Sequence, residues 1–219
     1  MIHAVIFDMD GVLIDSEIVY LDHMFKRLKL HYPQVTLESL YPVVGATSQR
    51  TMAVVADAVG EDTGSEAFQK IYASLWEGCH ANYPSILRKE VPDLLRELHH
   101  RGYAVALASS TSSPGIEEVL TTCGLKDDFD YVVSGDEFKE SKPNPEIYLH
   151  TASVLGCPPE SCLVVEDSTY GITAGHRAGM TVAALIDDRF GFDRTLADFS
   201  MVSLKEVIPV LEKLEEAHD

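Results

Sequence analysis

A chain of 219 residues with 46% hydrophobic and 24% charged residues is too apolar to be disordered, and long enough for a core domain carrying a smaller inserted one. Its 17 Lys plus Arg stand against 35 Asp plus Glu, a formal charge of −18, so its field repels polyanions and excludes nucleic acid as an expected partner. No apolar run reaches the ~20 residues of a membrane-spanning helix, and the first ten residues, with Asp8 and Asp10 among them, lack the basic flank and apolar stretch of a signal peptide. No membrane partner is expected, and the cytoplasm is the expected location.

Val5, Ile6 and Phe7 predict a short strand buried on both faces, which stops abruptly at Asp8-Met9-Asp10-Gly11. Acids two positions apart project to the same side of an extended chain. Carboxylates so close need a cation, a shared proton or solvent between them, and a divalent metal is the simplest answer because hard cations take carboxylate oxygens. From Ser16 the pattern turns helical, with Ile18, Leu21, Phe25 and Leu28 on one stripe and Asp22, Lys26 and Arg27 between them. A second helix is predicted near residues 49–59 and a third through Phe68, Ile71, Leu75 and Trp76; Pro33, Pro42, Gly45, Gly60 and Gly64 fall in the breaks. About seventy residues without a strand signal are too many for an ordinary connection in a doubly wound sheet and predict an inserted helical subdomain.

After Pro92, placed for the first turn of a helix through Leu94, Leu95 and Leu98, strands and helices alternate. Strands are predicted at 103–109, 131–134, 162–165, 181–186 and 199–202, and helices at 114–123, 145–155 and 171–178, each closed by a glycine. A terminal helix follows with Leu204, Val207, Ile208, Leu211 and Leu214, its start shifted or its axis kinked by Pro209. Ser113 and Asn144 suit helix N-caps. The alternation predicts a parallel sheet with right-handed crossovers. Cys79, Cys123, Cys157 and Cys162 show neither Cys-x-x-Cys pairing nor a histidine at zinc-finger spacing, so they read as thiols in a reducing compartment, with zinc not expected.

Three later stretches carry chemistry. Ala106-Leu107-Ala108-Ser109-Ser110-Thr111 turns from apolar to hydroxyl side chains, which with exposed amides bind phosphate oxygens. Lys142 lies in Glu140-Ser141-Lys142-Pro143-Asn144-Pro145, its backbone held extended by the proline that follows. Leu163-Val164-Val165-Glu166-Asp167-Ser168 ends a second apolar strand in an acid pair.

Taken in order, these stretches resemble the four signatures of the haloacid dehalogenase superfamily, and Asp8-x-Asp10-Gly11-Val12-Leu13-x-Asp15-Ser16 resembles its sugar-phosphate phosphatase and mutase branch. The resemblance implies a Rossmann-like core over residues 1–15 and 90–219 with a helical cap over 16–89, the doubly wound α/β class. It implies that Asp8 is the nucleophile, forming an aspartyl-phosphate, and Asp10 the general acid–base. Ser109 would bind the phosphoryl group with help from the Ser110 amide, and Lys142 would neutralise charge. Mg²⁺ would be held by Asp8, the Asp10 carbonyl, Asp167, and Glu166 either as a ligand or as an outer anchor. The expected substrate is a small phosphorylated metabolite, a sugar phosphate, turned over by a monomer, with Ser16, Tyr20, Arg50 and Ser110 as its contacts.

Asp10 argues against the dehalogenase branch, which lacks an acid there. The main rival is a mutase resembling β-phosphoglucomutase, in which a sugar hydroxyl replaces the attacking water. That mutase has a histidine where this chain has Tyr20, and a Gly-x-x-Arg where Gly45 is followed by Arg50 two positions late. A phosphonatase would need a cap lysine, and Lys26, Lys29, Lys70 and Lys89 offer no decisive candidate. A catalytically silent regulator on the same fold is the alternative of another class, opposed by the intact set of acids and Lys142.

Overall fold

The computed structural model describes every residue from 1 to 216 except Gly45, Thr47 and His80, with Ser48 and Gln49 described by their backbone alone. By internal contacts the chain divides into two compact units, Met1–Asp15 with Tyr83–Asp219, and Ser16–Asn82.

The chain enters through β1 (Ala4–Phe7), whose four residues are all buried. It then forms the helical unit, α1 (Glu17–Lys29), α2 (Ser48–Val59) and α3 (Glu66–Ser74). On α1 the buried residues are Leu21, Met24 and Leu28, so Met24 takes the place in the stripe that the spacing assigned to Phe25. Phe68 and Leu75 are fully enclosed, whereas Trp76 is 43% exposed. Arg27 Nη2 donates to the Ser74 carbonyl at 2.9 Å, tying α1 to the end of α3.

The sheet unit resumes with α4 (Tyr83–Ile86) and α5 (Val91–His100), and then alternates β2 (Ala104–Ser109), α6 (Ser113–Cys123), β3 (Tyr131–Ser134), α7 (Glu146–Leu155), β4 (Cys162–Glu166), α8 (Thr169–Arg177), β5 (Thr181–Leu185), β6 (Phe199–Met201) and α9 (Val207–Glu216). The segment 83–89, expected with the helical insert, belongs here, because Tyr83, Ile86 and Leu87 pack against the larger core cluster. Pro209 sits in the first turn of α9, where its missing N–H costs nothing, and the helix starts just before it. Ser113 is the first residue of α6 and not its cap, which is Ser112. Asn144 accepts from the Glu146 amide at 2.9 Å.

All strand pairings are parallel, in the order β3-β2-β1-β4-β5-β6. Alternate residues feed two cores. Val5, Phe7, Val105, Leu107, Leu163 and Val165 join α5, α6 and α9 on one face. Ala4, Ile6, Ala106, Ala108, Cys162 and Val164 join α7 and α8 on the other. The second face is rich in alanine, which lets its helices approach closely. At Gly175 a Cβ would come within 2.9 Å of Val182 Cγ2. Strand order reverses between β1 and β4, and in an open doubly wound sheet the crevice beyond the carboxyl ends at this point is where ligands bind. Among the described residues no helix is long and apolar enough to cross a membrane.

Candidate active site

Asp8 follows β1 directly and is held in line with β4, its amide donating to the Val165 carbonyl at 3.0 Å. The chain then turns tightly: the Met9 carbonyl accepts from Leu13 and Ile14, and the Gly11 amide donates to Ile14. Gly11 has φ +77°, and a Cβ there would lie 1.9 Å from Asp167 Oδ2. Only glycine meets both demands. Arg88, returning before α5, donates from Nη2 to the Gly11 carbonyl at 2.7 Å and so braces the turn.

Lys142 arrives beneath this turn with its side chain 5% exposed. Its Nζ donates to Asp8 Oδ1 at 2.7 Å, to Glu166 Oε1 at 2.7 Å and to the Ala108 carbonyl at 3.0 Å, which uses all three of its protons. The Tyr148 ring lies under the ammonium, 4.9 Å from Nζ to the ring centroid. Glu166, fully buried, receives five donors: Lys142 and the Tyr148 hydroxyl on Oε1, and the Asp167 amide, Ser168 amide and Ser168 hydroxyl on Oε2. A Cβ on Gly171 would sit 1.6 Å from Glu166 Oε1, so the first turn of α8 has to carry glycine there.

Asp8, Glu166 and Asp167 each place a carboxylate oxygen within 4.8 Å of the others, all three buried. Three carboxylates against one ammonium leave excess negative charge out of water, which a bound cation would relieve. The donors are all hard oxygens, so the set fits a hard divalent cation. Burial pushes the Asp8 carboxyl up to about 7, opposed by the Lys142 charge and helped by Glu166 and Asp10. For Lys142, burial favours the neutral amine, but Asp8 and Glu166 outweigh it and hold the ammonium well above its ordinary range. The Tyr148 hydroxyl is also pushed well up, by burial and then by Glu166.

On the neighbouring strand, Ser109 is buried and its Oγ accepts from the Thr111 amide at 3.1 Å. The Thr111 hydroxyl donates to Asp10 Oδ2 at 2.5 Å. Ser134, at the end of β3, donates from Oγ to the Thr111 carbonyl at 2.7 Å. Asp8, Asp10, Ser109, Lys142, Glu166 and Asp167 thus gather at the strand ends of the sheet unit, and Ser110 is exposed on the loop that follows β2. Ser16, Tyr20 and Arg50 belong to the helical unit. There Ser16 is buried at the start of α1, its carbonyl accepting from Val19 and Tyr20. Tyr20 meets Trp76 edge-on with centroids 6.4 Å apart, and Arg50 is exposed on α2. Gly45, against which Arg50 was measured, lies outside the described residues.

Sequence reasoning placed Thr111 only in the hydroxyl run, with no role of its own, and passed over Ser134, Arg88 and Tyr148. Tyr148 had a signal, a polar-tipped aromatic between Ile147 and Leu149 in the first turn of the helix, six residues after the lysine. Arg88 had none, since its partner is a backbone carbonyl 77 residues away.

The sheet order and the lysine-bridged carboxylates at its switch point define a doubly wound α/β protein whose crevice is equipped for a cation and an anionic ligand. The chain belongs to the haloacid dehalogenase-like hydrolase family, whose model matches residues 5–185, and it is an enzyme of that family. It is 30% identical over 216 residues to the phosphorylated carbohydrates phosphatase of Thermotoga maritima, covering 97% of this chain and 98% of that one. To the phosphoglycolate phosphatase of Aquifex aeolicus it is 27% identical over 212 residues, covering 95% and 96%. A solved β-phosphoglucomutase from Clostridium difficile superimposes with a TM-score of 0.81 over 99% of each chain at 21% identity, a likeness of fold.

Proposed function

We propose that this chain is a Mg²⁺-dependent phosphatase of small phosphorylated metabolites, sugar phosphates above all, acting through an aspartyl-phosphate on Asp8. The observation that carries the reading is the ammonium of Lys142 shared between Asp8 Oδ1 and Glu166 Oε1, both at 2.7 Å, beside Asp167. It leaves Asp8 oriented at the mouth of the crevice, with a fixed positive charge where negative charge grows in the transition state.

Asp8, the Asp10 carbonyl and Asp167 would hold the cation, which supplies charge neutralisation on the phosphoryl oxygens. With both oxygens engaged, Glu166 serves as the anchor that aims Lys142 and the β4–α8 turn. In the first half-reaction an Asp8 oxygen bonds to phosphorus, the ester P–O bond breaks, and the departing oxygen takes the proton of Asp10. In the second, water adds to phosphorus, its proton passes to Asp10, and the Asp8–phosphorus bond breaks. Ser109 and the Ser110 amide bind the phosphoryl oxygens, and the helical unit, Ser16–Asn82, acts as the cap that selects the substrate. A relative named for phosphorylated carbohydrates, matched nearly end to end, supports a sugar phosphate. Four free cysteines suit a reducing, cytoplasmic setting.

The test is phosphate release from a panel of phosphorylated sugars and carboxylates with Mg²⁺, for the wild type and Asp8→Asn. Release by the wild type alone is the expected result. An isomeric sugar phosphate formed from β-glucose 1-phosphate plus catalytic glucose 1,6-bisphosphate, much faster than phosphate appears, would replace the phosphatase by the mutase.

A further inference from the structure

We infer that Thr111 is a positioning residue that holds the acid–base Asp10 in its working orientation through both half-reactions, an inference that rests on the phosphatase reading. Its hydroxyl donates to Asp10 Oδ2 at 2.5 Å, a short hydrogen bond formed across 101 residues of sequence. Asp10 alternates between carboxyl and carboxylate during turnover. A hydroxyl is both donor and acceptor, so it can donate to the carboxylate and accept from the carboxyl without moving. An ammonium or guanidinium at the same place could only donate, and would hold the group ionised when it has to deliver a proton.

Thr111 is itself fixed from behind. Its carbonyl accepts from Ser134 Oγ at 2.7 Å, and its amide donates to Ser109 Oγ at 3.1 Å. Because that amide occupies a lone pair of Ser109, the Ser109 hydroxyl proton is left to point elsewhere, as a phosphate-binding hydroxyl requires. One residue therefore sets both Asp10 and Ser109. The Ser134 hydroxyl, itself buried at the carboxyl end of β3, ties this arrangement to the edge of the sheet.

A proton donor matters only when the leaving group needs a proton. p-Nitrophenolate departs without one and methoxide does not, so comparing p-nitrophenyl phosphate with methyl phosphate isolates the acid. In kcat/KM, which reports leaving-group departure, Thr111→Val should lose at least roughly tenfold more on methyl phosphate than on p-nitrophenyl phosphate. Thr111→Ser, which restores the hydroxyl, should recover most of that difference. Asp10→Asn serves as the reference and should show the same selectivity in larger measure. Circular dichroism checks folding, and if Thr111→Val does not fold, Thr111→Ala removes the same hydroxyl and carries the comparison. Equal losses on the two esters, or no recovery by serine, with Asp10→Asn still selective, would overturn the role of Thr111 alone. Loss of selectivity in Asp10→Asn as well, or no hydrolysis of either ester by the wild type, would overturn the phosphatase mechanism on which it rests.

Discussion

Two strands of this sheet end in acid pairs, and the pairs are built differently. At the end of β4, Glu166 is fully buried with both oxygens saturated by five donors and a glycine pressed against it. At the end of β1, Asp8 receives the Lys142 ammonium on Oδ1 at 2.7 Å, and Asp10 meets the Thr111 hydroxyl through Oδ2 at 2.5 Å. A saturated carboxylate is scaffolding, since it has no lone pair to spend on a reaction. A carboxylate held through one oxygen, as Asp8 is through Oδ1, can be aimed and still react through the other. In the proposed mechanism the β4 pair supplies rigidity and charge and the β1 pair the chemistry, and Lys142 bridges Asp8 and Glu166.

The sharpest break between the two pairs comes from removing one member of each. Asp8→Asn keeps shape but forfeits the proposed nucleophile, so turnover should fall by on the order of 10⁴-fold or more, with circular dichroism like that of the wild type and, with Mg²⁺ present, a similar melt. Comparable activity in that variant would dismiss covalent catalysis on Asp8. Glu166→Ala should act first on the fold. It leaves buried donors and half of a buried ion pair unsatisfied, a loss of about 3–5 kcal/mol in urea unfolding. If Asp8→Asn unfolds as readily as Glu166→Ala, the division between chemical and structural pairs is wrong.

Asp167 lies between the two roles, buried beside Gly11 yet part of the carboxylate cluster. Asp167→Ala should weaken Mg²⁺ binding by more than the roughly 10–100-fold typical of losing an outer partner, read by calorimetry and by the metal dependence of phosphate release. Full wild-type activity after exhaustive chelation would remove the metal from the scheme.

The last comparison is of stability with pH. Burial raises the Asp8 carboxyl from 3.8 to about 7, against the pull of Lys142, so the metal-free folded protein keeps a proton that the unfolded chain has already lost. The stabilisation is complete below about pH 4 and is lost as pH rises to about 7. Without added metal, the melting temperature of the wild type should decline relative to Asp8→Asn across that window, and Mg²⁺ should restore it at the upper end. A wild type and variant that track each other from pH 4 to 8 would show that Asp8 is ionised throughout.

What the sequence determined by itself was local. Apolar runs that stop at Asp8 and at Glu166 mark strand ends, because a strand buried on both faces can carry acids only where it leaves the core. The glycines at 124 and 156 and the prolines at 92 and 209 punctuate helices through backbone geometry that no neighbour has to supply. The order of signatures was legible for the same reason, and with it the family and the six strands. Partner choice was not legible. Among 35 acidic residues composition and periodicity do not say that Lys142 reaches Asp8, 134 positions away, which only the family resemblance implied, and nothing said that Thr111 reaches Asp10. Those pairings exist because β3, β2 and β1 lie side by side and parallel, so the loops that follow them, carrying Lys142, Thr111 and the two aspartates, open on one crevice. Tertiary structure also decided where the helical unit ends, since Tyr83, Ile86 and Leu87 read as ordinary helix residues until the core they fill is known. Periodicity reports how much a residue is buried, and only the assembled sheet determines against what.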